Sequence, residues 1–187
     1  MYHKFGISKH PSTNVTIKQL NLHISEFSQE KYNVKSLDYI LDTIINDGQL
    51  PNNTIGISVD DADRSFLTTA WPKFKEKNLP VTLFVNTSTI IKNNKNYLNW
   101  DEIRKLISEG VTIGAHSHSH NHMPDLSIEE IKNEIEISNK IFLKELGLIP
   151  SLFAYPYGEA DEKIIELLKK YKFKVAFGQH SGAINET

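Results

Sequence analysis

Thr54-Ile55-Gly56-Ile57-Ser58-Val59-Asp60-Asp61 is an apolar run of strand length that closes on two carboxylates. Thr54 to Val59 shows little polar alternation, the pattern of a strand covered on both faces. Four more runs of this kind follow: Val81 to Val85, Val111 to Ala115, Ser151 to Ala154 and Lys174 to Phe177. Tyr32 to Val34 is a weaker strand, and Met1 to Phe5 reads as the remnant of another whose beginning lies outside the chain. That makes about seven strands.

Helical stretches with recognisable starts lie between the runs. Thr16 with Gln19, Asn99 with Glu102, and Ser127 with Glu130 have the capping-box spacing, while Ser36 and Asp161 read as simpler N-caps. In the helix that Ser127 opens, Ile131, Ile135 and Phe142 recur on one face. Alternation of this kind predicts an α/β fold, with a parallel sheet covered by helices and either closed into a barrel or left open and doubly wound. No linker or repeat divides the chain, so residues 1–187 read as a single domain. The stretch from Thr87 to Asn99, rich in Asn and Lys, reads as a mobile surface segment.

Composition narrows the function. The 187 residues, 39% hydrophobic and 24% charged, suffice for one sizeable core. A net charge of -2 with dispersed lysines leaves no electrostatic footprint for nucleic acid or an anionic membrane. No run approaches the roughly 18 apolar residues of a membrane span, and the N-terminus lacks signal-peptide character. Cysteine is absent, so any metal must be held by nitrogen and oxygen. Oligomeric state is not written in the sequence.

Three motifs fall at strand ends. Asp60 and Asp61 follow the first strong strand, His116-Ser117-His118-Ser119-His120 follows Val111 to Ala115, and Tyr155-Pro156-Tyr157-Gly158 follows Ser151 to Ala154. In parallel α/β folds the carboxyl ends of the strands share one side of the molecule, where active sites are built. A carboxylate and two imidazoles can bind a metal facially and leave a position open for water, with the second carboxylate free to act as base. A turn or helix start after His116 would bring His120 round at i+4, but His118 and His122 share that spacing. Each motif also has an ordinary reading: a helix cap, an exposed histidine loop and a tight turn. Their joint placement favours a site. His3, His10, His23 and His180 read as surface or structural histidines.

In order, Ile57 to Asp61, Gly114 to His120 and Phe153 to Gly158 resemble the polysaccharide deacetylases of carbohydrate esterase family 4, the NodB-homology domain. Met1 to Gly6, Phe153 to Gly158 and Ala176 to Gly182 look most like the branch containing poly-β-1,6-N-acetylglucosamine deacetylases. The resemblance implies a distorted (β/α) barrel with about seven strands and a hydrolase that removes acetyl groups from an N-acetylglucosamine-containing polysaccharide. By position, Asp60 would be the general base, and Asp61, His116 and His120 would hold zinc or a similar divalent ion. Ser117 would buttress the loop. Tyr155, Pro156 and Tyr157 would line the substrate site, Tyr155 offering its backbone N–H to the oxyanion. An N-acetylated glycan would be the partner, and the location exported, periplasmic or at the cell surface.

The chain departs from the family pattern in three places. Ala62 stands where Asp-Asp-Gly is usual, a serious change only if its φ is positive. Ala154 stands where many members have an arginine paired with the catalytic aspartate. The late motif of a leucine and an acid-catalyst histidine is not met before Thr187: either the chain is cut short of it, or another group such as His180 takes the role, or turnover is poor. With the start inside the first strand, truncation at both ends is the expectation. Two alternatives follow: a catalytically weak carbohydrate-binding domain, or a deacylase of smaller N-acyl or O-acetyl substrates. An open groove lined by Tyr155, Tyr157 and Trp100 would favour the polymer.

Overall fold

The computed structural model of the chain describes residues 1–7, 11–91 and 94–179. Two short parallel pairs come first: β1 (Lys4–Phe5) with β2 (Asn14–Val15), and β3 (Asn33–Val34) with β4 (Thr54–Ile55). The centre is one parallel sheet whose strands stand in chain order: β5 (Ser58–Asp60), β6 (Thr82–Val85), β7 (Thr112–Ala115), β8 (Leu152–Ala154) and β9 (Val175–Phe177). It curls into a half-barrel, as the NodB-like expectation requires. Each of the seven expected strand positions carries strand or bridge pairing.

Two details differ from the sequence reading. Thr54 to Val59 is not one strand: it pairs with β3, breaks at Gly56 and Ile57, and resumes as β5 beside β6. A Cβ on Gly56 would lie 2.4 Å from Cδ2 of Leu37, so glycine is what lets a helix press against the chain there. β2, two residues long, is too short to leave a periodic signal. Tyr2 bridges Val59 in parallel, its N–H donating to the Ser58 carbonyl at 2.9 Å while the Asp60 N–H donates to the Tyr2 carbonyl at 2.8 Å.

Seven α-helices are among the described residues: α1 (Ile17–Phe27), α2 (Leu37–Ile45), α3 (Trp71–Glu76), α4 (Thr87–Ile91), α5 (Trp100–Ser108), α6 (Ile128–Leu146) and α7 (Glu162–Lys170). All three capping boxes form, at Thr16, Asn99 and Ser127, and Ser36 and Asp161 cap α2 and α7. α3 is entered through a π-helical turn, Phe66–Ala70. The Thr87 to Asn99 segment is tied down in part. Its first five residues are α4, with Thr87 and Ile90 buried, and Arg64 N–H donates to the Asn96 carbonyl at 2.8 Å.

Strand alternation divides the sheet into two faces. Leu83, Val85, Ala115 and Phe153 pack outward with Ile103, Leu106, Ile131, Ile135 and Phe142 of the helices. On the concave face Phe84, Leu152 and Ala154 pack with Leu37, Ile40 and Leu41 of α2. Phe84 and Ala154 also line the cavity where the strand-end motifs meet.

Candidate active site

Asp60 belongs to the concave face, paired in register with Phe84. It is 7% exposed, and its Oδ1 is buried without a hydrogen-bond partner among the described residues. Burial, reinforced by the neighbouring Asp61 charge, pushes the Asp60 carboxyl up to about 7. The backbone then turns through two left-handed residues, Asp61 at φ 73° and Ala62 at φ 54°. That turn swings Asp61 away from Asp60. Ala62 is fully buried, so the missing glycine matters: a left-handed alanine costs on the order of 1 kcal/mol.

His116 leaves the end of β7 with its N–H bonded to the Val85 carbonyl at 3.0 Å. Its Nδ1 lies 2.8 Å from the Ala154 carbonyl, which fixes the Nδ1–H tautomer and turns the Nε2 lone pair inward. Burial holds the ring well below its usual pKa, the Ala154 carbonyl acting in the opposite sense. The chain after His116 is not helical. Ser117 (φ 61°) and His120 (φ 59°) are both left-handed, and His120 N–H donates to Ser117 Oγ at 3.0 Å, the expected buttress. By this tight turn, rather than a helical one, the Nε2 atoms of His116 and His120 come within 3.1 Å. Asp61 Oδ1 stands 3.7 Å from the first and 3.5 Å from the second. Ligand atoms of a tetrahedral zinc at about 2.0–2.1 Å from the ion are roughly 3.3 Å apart, so the donor set fits such an ion in spacing and chemistry.

The competing pair is turned elsewhere. His118 Nδ1 lies 2.8 Å from Thr87 Oγ1, and His122 Nδ1 lies 2.8 Å from Glu159 Oε2. His122 also stacks on Tyr157, with ring centroids 3.7 Å apart and planes 3° from parallel.

The third motif forms a short 3-10 turn, Pro156–Gly158. Tyr155 is the correction here: its backbone N–H donates to the Phe177 carbonyl at 3.0 Å as part of the sheet, so it is not available to an oxyanion. Tyr157, at φ 58° and half exposed, stands edge-on to His120 at 4.7 Å. Gly158 has φ 71°, and a Cβ there would lie 2.2 Å from Cβ of Gln179. Trp100 is also misplaced by the sequence reading. It opens α5 and packs edge-on against Phe142 at 5.9 Å, lining a separate groove with Ile90 and Ile141. His180 lies outside the described residues.

A cavity of about 340 Å³ unites the motifs, lined by His3, Asp60, Asp61, His116, His120 and Tyr157, and floored by Phe84, Ala154 and Phe177. Three contributors were not read from the sequence. His3 enters through the Tyr2–Val59 bridge, and burial lowers its pKa against the pull of Asp61. Asn86 Nδ2 donates to Asp61 Oδ1 at 3.3 Å. Its place just beyond β6 was a signal, since strand ends build the site. Glu134 on α6 accepts from His118 N–H at 3.0 Å and Ser119 N–H at 2.6 Å, and nothing in a helix interior marks such a role.

Comparison with known proteins gives a consistent picture. The family model described as polysaccharide deacetylase matches residues 47–176. The poly-beta-1,6-N-acetyl-D-glucosamine N-deacetylase of Staphylococcus aureus is 25% identical over 151 residues, covering 73% of this chain and 51% of that protein. The peptidoglycan-N-acetylglucosamine deacetylase PgdA of Listeria monocytogenes is 27% identical over 116 residues, 62% of this chain and 24% of that protein. The chain thus spans about half, or less, of the length of these two relatives. Among solved structures, the Streptococcus pyogenes deacetylase PplD in complex with acetate superposes with a TM-score of 0.89 at 18% identity, over 97% of this chain and 83% of that one. IcaB from Ammonifex degensii gives 0.86 at 19% identity, over 95% and 81%. The two structures share the fold.

Proposed function

This chain belongs to the polysaccharide deacetylase family, and from that premise we propose that it hydrolyses the N-acetyl groups of an N-acetylglucosamine-containing polysaccharide, releasing acetate and leaving a free amine. One observation carries the proposal. Ligand atoms of Asp61, His116 and His120 lie within 4.8 Å of one another, in a cavity that also holds Asp60, whose buried Oδ1 has no hydrogen-bond partner among the described residues.

In this reading Asp61 Oδ1 and the two Nε2 atoms hold a divalent ion, zinc by preference for a nitrogen and oxygen set. Bound there, the ion supplies Lewis acidity to the attacking water and to the acetamide carbonyl. The remaining work falls to the protein. Asp60 takes a proton from the water: burial raises its carboxyl to about 7 in the metal-free protein, and a cation held by Asp61, His116 and His120 would draw that value down and keep it ionised as a base. His116 stays neutral through burial, with its tautomer set by Ala154. Asn86 orients the Asp61 carboxylate. With the Tyr155 N–H committed to the sheet and Pro156 lacking one, Tyr157 offers the next backbone N–H of the turn to the oxyanion, and its half-exposed ring flanks the sugar. His180 is the candidate for protonating the departing amine. Work on a surface polysaccharide would place the protein outside the cytoplasm or at the cell surface.

The test measures metal content and acetate release from acetylated glucosamine oligomers for the unmutated protein, His116→Ala/His120→Ala and Asp60→Asn. Stoichiometric metal lost in the double variant, together with release lost in both, supports the reading. Metal without release from the unmutated protein points to a glycan-binding domain. Absence of metal under replete conditions overturns the site.

A further inference from the structure

The segment that carries two of the three proposed metal ligands, His116 to His120, is held in an unfavourable backbone shape. Ser117 and His120 are both left-handed without being glycine, each at a cost on the order of 1 kcal/mol. Something outside the segment must hold it there. Part of the restraint comes from α4, whose Ser88 N–H donates to the His118 carbonyl at 3.0 Å. Thr87 adds its N–H to the Ser117 carbonyl at 3.4 Å and its Oγ1 at 2.8 Å from His118 Nδ1, and Ser117 Oγ accepts the His120 N–H within the segment. A further pair of bonds converges on one atom: Oε2 of Glu134 accepts both His118 N–H and Ser119 N–H, at 3.0 and 2.6 Å.

Glu134 sits on the buried face of α6 beside Ile131, Ile135 and Ser138, and is 8% exposed. A carboxylate on such a face is costly unless hydrogen bonds satisfy it, and here two successive backbone N–H groups do so, as in an anion-holding nest. We propose that Glu134 is a positioning residue for the metal site: by gripping the backbone of His118 and Ser119 it holds His120 where its Nε2 can share an ion with His116 and Asp61. It touches neither the ion nor the substrate. The inference rests on the metal-site reading above and adds a distant helix to what sets metal affinity.

The test is zinc affinity, measured by competition with a chromophoric chelator well below the unfolding temperature, for the unmutated protein, Glu134→Ala, Glu134→Leu and Glu134→Gln. Alanine and leucine remove the acceptor and leave two N–H groups unpaired, and affinity should fall about 10- to 100-fold. Leucine fills the space, which keeps the comparison usable if the alanine variant unfolds. Glutamine retains an uncharged acceptor at the same reach and should stay within about tenfold of the unmutated protein, since charge-assisted bonds are roughly twice as strong as neutral ones. Where acetate is released, raising zinc above the weakened affinity should restore kcat in Glu134→Leu but not in His116→Ala/His120→Ala.

A folded alanine or leucine variant that binds zinc as tightly as the unmutated protein overturns the proposal. So does loss of fold in both while glutamine folds, because Glu134 would then be a general stability residue. If the unmutated protein takes up no zinc, the site reading fails and this inference with it. Zinc uptake without acetate release removes the deacetylase reading and leaves the affinity test of Glu134 intact.

Discussion

Asp60→Asn should stabilise the metal-free protein, by an amount that depends on pH in a calculable way. Asp60 is held at about 7 against an ordinary value of 3.8, chiefly by burial. The folded state therefore keeps a proton that the unfolded chain has already released, so folding stability falls as pH rises from about 4 to about 7 and is flat on either side. A rise of this size corresponds to about 4 kcal/mol of stability lost by pH 8. Asparagine has nearly the same shape and no charge, so the variant should lack this decline. In urea denaturation of chelator-treated protein, the stability gap between the variant and the unmutated chain should widen by about 4 kcal/mol between pH 4 and pH 8. Adding zinc should narrow the gap, because a cation beside Asp60 favours its charged form. Parallel curves across that pH range would refute the reasoning, since they would mean that Asp60 is solvated or paired in the folded protein.

Ala62→Gly should change stability by less than about 0.5 kcal/mol, because relief of the left-handed alanine and loss of one buried methyl are each worth about 1 kcal/mol and oppose each other. Ala62→Val should cost at least about 2 kcal/mol in the same denaturation assay, since a β-branched side chain is both strained and too large there. His122→Ala should raise KM for acetylated glucosamine oligomers several-fold while leaving zinc content unchanged, because it frees Tyr157 from its stack without touching the ligands; unchanged KM would remove Tyr157 from the sugar site. Leu37→Ala, on the concave face, should cost about 2–5 kcal/mol of stability and keep full zinc content.

The fold was legible because its signals are local. Capping boxes at Thr16, Asn99 and Ser127 depend on residues three apart, and fully covered strands such as Thr82–Val85 need only a short apolar run. The break at Gly56 was hidden because its cause is Leu37, nineteen positions earlier in the chain and on another element. The site was half legible. Strand-end placement nominated Asp60, Asp61, His116 and His120, yet equal spacing could not separate His116 and His120 from His118 and His122. That choice is made by left-handed Ser117 and His120, conformations that no propensity of serine or histidine announces. Tyr155 was misread because its partner, the Phe177 carbonyl, comes from a strand that follows it. Trp100 was assigned to the groove by residue type alone, and Glu134 left no mark because its partners are backbone N–H groups.

Phe84, Ala154 and Phe177 serve two neighbours at once. They cushion α2 on one side and floor the cavity on the other. The floor of the cavity therefore rests on a helix of ordinary hydrophobic residues, while the proposed metal ligands Asp61 and His116 stand at strand ends. Under the proposed reading, exchanging Leu37, Ile40 or Leu41 in α2 would reshape that floor and leave Asp60, Asp61, His116 and His120 as they are.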